Sequence, residues 1–267
     1  MNKTDFKGRT VLITGASSGI GAAFARNLAS RGANLILTAR SQDTLMRIAD
    51  ELKRKYPISI QVFPADLGDM EAPQQLFEKV RASGISVDVL INNAGFGKWA
   101  HFLDEEFDTY RRMLSLNVNA LVHLTHLFLP HMLARGTGGV INVASTAAFQ
   151  PVPYIAVYSA SKSFVLNFTE ALSGEYGESG LRFLALCPGN TTTNFMAVAN
   201  ADTSGMSFAT PEDVVEAALN AFLHGRGYHV PGMANYLTSL LPRILSRSAA
   251  VRIVANMFKG RVAAFKS

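Results

Sequence analysis

The stretch RTVLITGASSGIG, residues 9–21, passes from a short β-branched apolar run into a turn carrying three glycines. The run RTVLIT (9–14) has the composition of a strand buried on both faces. Its hand-over, TGASSGIG (14–21), places Gly15, Gly19 and Gly21 where the backbone must turn sharply and come close to a pyrophosphate. The helix that begins at Gly19 would aim free N–H groups and a partial positive charge at such an anion. A glycine-rich turn alone is weak evidence; one flanked by a strand and a helix meets the structural condition for dinucleotide binding. Ser17 adds a hydroxyl to the same loop, and its spacing is TGxxxGxG rather than GxGxxG.

The pattern repeats outward from this turn. ANLILT (33–38), ISIQVF (58–63), VDVLIN (87–92), GVINVA (139–144) and LRFLALC (181–187) are further short apolar runs, with a last one near 227–230. Helical periodicity fills the gaps, at 19–31, 41–55, 70–83, 105–134, 155–177 and 211–224. Alternation of this kind predicts an α/β fold: a doubly wound, Rossmann-like parallel sheet with helices on both faces. Right-handed crossovers exclude most other topologies. The expected organisation is one domain over residues 1–231, followed by a basic amphipathic helical tail over 232–267.

Composition narrows the function. Of 267 residues 48% are hydrophobic and 17% charged, which fits a folded chain rather than a disordered one. Cys187 is the sole cysteine, so disulfide frameworks and cysteine metal clusters are excluded, and it reads as a buried small hydrophobe. Of His123, His126 and His131, which share one helical segment, only the first two share a face closely, because Pro130 is expected to interrupt the register before His131. No nearby carboxylate or thiol completes a metal site, and no metal is expected. The N-terminus lacks a signal-peptide apolar stretch and no run is long enough to span a bilayer, so a cytoplasmic setting is expected. The net charge of +5 is unevenly placed. No acidic residue follows Glu216, whereas seven of the cations do, leaving −2 on the first 216 residues. Basicity confined to the tail argues against a nucleic-acid surface.

YSASK (158–162) brings a phenol and an ammonium four positions apart, which stacks them on one helix face about 5–6 Å apart at Cβ. A neighbouring cation favours the phenolate and lowers the phenol's ordinary pKa of about 10. TGASSGIG, NNAG (92–95), Asn117, Ser145 and YSASK occur together and in order. Over about residues 8–230 the chain thus resembles the short-chain dehydrogenase/reductase family, in its single-domain form. The resemblance implies that Tyr158 is a general acid and that Lys162 tunes it and binds the nicotinamide ribose. It implies that Ser145 orients the substrate oxygen and that Asn117 holds a water in a proton path. It also marks Ile20, Leu67, Asn93, Ala94, Gly95, Pro188, Gly189, Thr191 and Thr193 as cofactor-facing. Asn92 would end the fourth strand where the cofactor runs, and Asp66 would touch the adenine amino group or cap a helix.

Residue type at the end of the second strand addresses cofactor choice. Ala39 stands where an acidic residue would grip a ribose 2′-hydroxyl, and Arg40 follows it. A guanidinium there suits a 2′-phosphate, so NADP(H) is the expected cofactor. Loop 190–210 carries Phe195, Met196, Met206 and Phe208, and GFGKWAHF (95–102) carries Trp99 and Phe102. These side chains either wall an apolar substrate pocket or pack on the core. In the tail, Val251, Val254 and Phe258 oppose Arg252, Asn256 and Lys259, and Pro242 is expected to start a helix. Packing on protein is favoured over adsorption to an anionic bilayer. Together these readings give an NADP(H)-dependent oxidoreductase acting on a small apolar ketone, aldehyde or alcohol. The resemblance implies a homodimer or homotetramer. A non-catalytic dinucleotide-binding protein and a same-fold dehydratase or epimerase are the alternatives.

Overall fold

The computed structural model describes residues 6–200 and 202–262. Seven strands form one wholly parallel sheet: β1 (Thr10–Thr14), β2 (Asn34–Thr38), β3 (Ile60–Val62), β4 (Val89–Asn92), β5 (Gly139–Val143), β6 (Arg182–Leu186) and β7 (Tyr228–His229). Their spatial order is β3-β2-β1-β4-β5-β6-β7. The chain therefore winds one way from β1 to β3 and the other way from β4, which makes β1/β4 the switch point where such sheets bind ligands. The helices are α1 (Gly19–Ser30), α2 (Gln42–Lys55), α3 (Ala72–Ala82), α4 (Phe107–Leu114), α5 (Leu121–Arg135), α6 (Ala156–Glu175), α7 (Phe195–Val198), α8 (Pro211–Leu223), α9 (Met233–Ile244) and α10 (Arg247–Lys259).

Strand periodicity divides the core. Val11 and Ile13 of β1 join Phe24, Leu28, Leu219 and Phe222 from α1 and α8 on one face. Leu12 joins Leu76, Leu124 and Phe128 from α3 and α5 on the other. A third cluster, including Val165, Ala185 and Cys187, fixes α6 against β6. Burial on both faces explains why the strands read as continuous apolar runs instead of alternating ones. Thr210 starts α8 by accepting the Asp213 N–H at 3.1 Å, with Pro211 in the first turn.

Three local expectations need correction. The single helix expected over 105–134 is interrupted by a π-helical segment, Ser115–Ala120, between α4 and α5. Pro130 does not end the register there, since α5 runs through it to Arg135. Pro242 lies in the last turn of α9 instead of starting a helix. The next helix is capped four residues later, where the Ser246 hydroxyl accepts the Ala249 N–H at 3.3 Å. A serine cap satisfies an open amide that proline could only omit.

Candidate active site

The carboxyl ends of the strands open into a cavity of about 710 Å³. At its phosphate end, Gly15 and Gly19 adopt left-handed backbone angles of φ 65° and 52°. A Cβ on Gly19 would sit 2.9 Å from the Thr193 methyl, and one on Gly15 would sit 2.9 Å from Asn93 Nδ2. The turn is thus closed around bare backbone, with Ser17 and Ile20 also on the cavity wall. Gly21 does not line the cavity. A Cβ there would overlap the Gly15 carbonyl oxygen and come within 2.6 Å of Asn93 Nδ2, so this glycine permits close helix–strand packing behind the turn. Thr14, not singled out by the sequence, holds that packing together. Its hydroxyl accepts the N–H groups of Asn93 and Ala94, each at 2.9 Å, and donates to the Ile91 carbonyl at 3.3 Å.

Farther along, Arg40, Asp66, Leu67, Ala94 and Gly95 line the same groove. Asp66 is the only carboxylate among the described residues lining the cavity, and its Oδ2 faces the Arg112 guanidinium at 3.5 Å. It caps no helix: its Oδ1 accepts the Gly68 N–H at 3.1 Å, and α3 begins after Glu71. Arg40 is exposed and takes part in no ion pair among the described residues. Asn92 is turned away from the groove. Its Nδ2 donates to Asn142 Oδ1 at 2.9 Å and to Thr125 Oγ1 at 3.1 Å, in a buried network that continues from Asn142 to Thr169. Strand alternation sends it inward as its neighbour Asn93 faces the turn.

At the inner end stand Ser145, Tyr158 and Lys162. Ser145 lies two residues beyond β5, and its Oγ accepts the Ala147 N–H at 3.1 Å. Lys162 is buried and donates to the Val143 carbonyl at 2.7 Å, with its Nζ 5.8 Å from the Tyr158 ring centre. Gly97 allows the Tyr158 ring its place, since a Cβ there would come within 3.0 Å of Tyr158 Cδ2. Asn117 is buried in the π-helical segment and does not reach the cavity. It accepts the Phe96 N–H at 3.1 Å and donates to the Phe96 carbonyl and to Ser161 at 3.0 and 3.1 Å. A Cβ on Gly95 would lie 2.9 Å from Asn117 Oδ1 and 3.3 Å from Lys162 Nζ, which places both beside the cavity floor.

Burial dominates the ionisation of this group. It pushes the Tyr158 phenol up to about 12, against the opposing hydrogen bond to Ser145. Tyr158 retains some accessible surface towards the cavity, so water in the open cleft tempers that shift. Lys162 is brought down to about 8, again by burial. The YxxxK spacing therefore does not by itself acidify the phenol. Desolvation outweighs the Ser145 hydrogen bond, and the hydroxyl stays protonated and able to donate. Behind them the Cys187 thiol is buried and pushed up to about 12, as inert as a small hydrophobe.

The outer wall is apolar. Trp99, Val152, Ile155 and Ala199 form a cluster against which Tyr158, Phe195 and Met206 pack. The Phe195 ring is 5.3 Å from that of Tyr158. Val254 and Phe258 of α10 join this cluster, with Phe258 edge-on to Trp99 at 4.8 Å. Phe102 is instead largely exposed, and Phe208 is about one-third exposed. Pro188, Gly189, Thr191 and Thr193 line the cavity on the β6 side, where Asn235 of α9 presses on Gly189. Sequence reasoning missed Gln150, which lines the cavity and has a buried, unpaired Oε1. No motif marks it.

The family model for short chain dehydrogenases matches residues 9–204. The chain belongs to that family. Its members bind NAD(P), and the bare glycine turn, the N–H groups and the length of the groove fit such a group. A very-long-chain 3-oxoacyl-CoA reductase of Anas platyrhynchos is 33% identical over 218 residues, covering 79% of this chain and 68% of its own. A short-chain dehydrogenase from Sphingobium yanoikuyae, solved in complex with NADPH, superposes with a TM-score of 0.81 at 31% identity, over 87% of this chain and 92% of its own. The bulky-bulky ketone specific alcohol dehydrogenase from Comamonas testosteroni superposes with a TM-score of 0.76 at 26% identity, covering 97% and 96%. This short-chain dehydrogenase is thus an oxidoreductase of α/β fold.

Proposed function

We propose that the protein is an NADP(H)-dependent oxidoreductase that interconverts a ketone and its alcohol on a bulky or long-chain apolar molecule, acting as a reductase in the cytoplasm. The observation that carries this reading is the position of Tyr158, a protonated donor, between the dinucleotide groove and the wall built by Trp99, Ile155, Phe195 and Phe258. When bound in the groove, reduced nicotinamide would supply the hydride. Tyr158 supplies the proton that the developing alkoxide requires, and Ser145 holds the carbonyl oxygen beside it. Lys162, charged below about pH 8, binds the ribose hydroxyls and stabilises the phenolate left behind. Asn117 acts through Phe96 and Ser161 as a positioning residue and lies where a water could connect Lys162 to solvent.

Arg40, on the cavity wall and in no ion pair among the described residues, supports NADP(H) over NAD(H), as does Ala39 where an acidic residue would grip the ribose 2′-hydroxyl. The apolar wall, the 3-oxoacyl-CoA reductase relative and the bulky-ketone structural neighbour all support a substrate with a large apolar group. Exposed Phe107, Leu114 and Phe164 on α4 and α6 support a homodimer or homotetramer assembled through those helices. Residues 1–231 are the catalytic domain in this reading, with 232–267 as an appended tail; the tail's last residues, 263–267, lie outside the described residues.

The test is NADPH deuterated at C4, offered with a long-chain 3-oxoacyl thioester, a bulky aryl ketone and a small polar ketone. Deuterium is expected at the carbinol carbon of the first two products. Turnover of the polar ketone alone, or product without deuterium, would overturn the proposal.

A further inference from the structure

The two tail helices present a surface that the reaction does not use. On α9, Met233, Leu237, Leu241 and Ile244 are 72%, 57%, 50% and 81% exposed. Their spacing of four, four and three puts them in one stripe. On α10, Ile253 and Met257 lie one turn apart and are 49% and 63% exposed. The other side of α10 is occupied, since Val254, Phe258 and Val262 pack on the apolar wall of the cavity. Arg261 fastens this helix further by donating to the carbonyls of Asp202 and Ser204 at 2.9 and 3.1 Å. Apolar side chains thus remain uncovered on both helices after the cavity has been closed, more than a pocket cover requires.

The charged side chains that the two helices themselves carry are all of one sign. Arg243, Arg247, Arg252 and Lys259 are exposed on or beside the same two helices, and no carboxylate occurs after Glu216. A second copy seated on this stripe through a two-fold axis would set these cations against their own equivalents, with no acidic side chain on either helix to neutralise them. An anionic lipid surface instead offers apolar depth for the stripe and negative charge for its rim.

We propose that the α9–α10 hairpin is a docking face for an anionic bilayer, laid beside the mouth of the substrate cavity. The inference rests on reading that cavity as the site of an apolar substrate, and it adds the phase from which the substrate arrives. Both helices bridge the two surfaces. Phe258 lines the cavity and Asn235 presses on Gly189, while their opposite sides carry the exposed stripe.

The experiment uses the full chain, sedimented with phosphatidylcholine vesicles with and without phosphatidylglycerol. Binding is expected only to the anionic vesicles, and is expected to weaken with salt. The triple variant Arg243→Gln/Arg247→Gln/Arg252→Gln should lose on the order of 100-fold in partitioning. Leu237→Ser/Leu241→Ser/Ile244→Ser should no longer pellet, while thermal unfolding shows both variants folded. No partitioning, equal binding to neutral and anionic vesicles, or undiminished binding by the serine variant each overturns the proposal. So does a native oligomer that the serine variant splits, because a second copy then covers the stripe. Sedimentation needs no turnover, so a chain that pellets but fails the deuterium test refutes the proposed reaction and leaves the docking face standing.

Discussion

Replacing Arg40 with alanine should convert a cofactor preference into near indifference. Arg40 lies two residues beyond β2, is exposed on the cavity wall, and takes part in no ion pair among the described residues. Hydrogen bonds to a charged group contribute about 1.5–3 kcal/mol, and exposure favours the lower half of that range. About 2 kcal/mol corresponds to a loss of roughly 30-fold in NADPH affinity. NADH carries no 2′-phosphate and should change by less than about twofold, since nothing else at that rim is altered. Trp99, the only tryptophan, lines the cavity, so quenching of its emission by a reduced nicotinamide reports both titrations. The NADPH loss should shrink as salt is raised, because an exposed ion pair is screened. Parallel weakening of both dinucleotides, or unchanged NADPH binding, would refute the assignment of Arg40 to the 2′-phosphate.

Gly21→Ala should cut NADPH affinity by at least about tenfold although Gly21 touches no cofactor, because its Cβ would overlap the Gly15 carbonyl and displace the phosphate turn; isothermal titration checks it, and unchanged binding would contradict the packing role. The pH profile of kcat/KM for reduction should fall as pH rises through about 8, where Lys162 loses its charge, while Tyr158 remains protonated up to about 12. A profile flat to pH 10 would show that Lys162 carries no essential charge in the free enzyme.

Much of this was legible in the sequence for a physical reason. Strands buried on both faces leave unbroken apolar runs, and each of the seven was visible to within two residues. Gly15 and Arg40 were marked by the turn and the strand end, and Ser145 and Tyr158 by the family resemblance; all four line the cavity. What stayed hidden depends on tertiary direction. Gly21 and Asn117 stand one layer behind the cavity, and Asn92 faces the core, distinctions that no local spacing records. The π-helical segment is one irregular turn within a long apolar pattern, too short to shift its period. In the tail, the charge asymmetry and the inward face of α10 could be read, whereas the stripe on α9 emerged only once its exposure was known.

The central claim is that the Tyr158 hydroxyl delivers the proton as the carbonyl is reduced. Single-turnover reduction by the Tyr158→Phe variant, preloaded with NADPH and mixed with a bulky ketone, tests it most directly. The account predicts intact NADPH binding and a rate lower by about 10²–10⁴-fold. A rate within a few-fold of the native protein would contradict it.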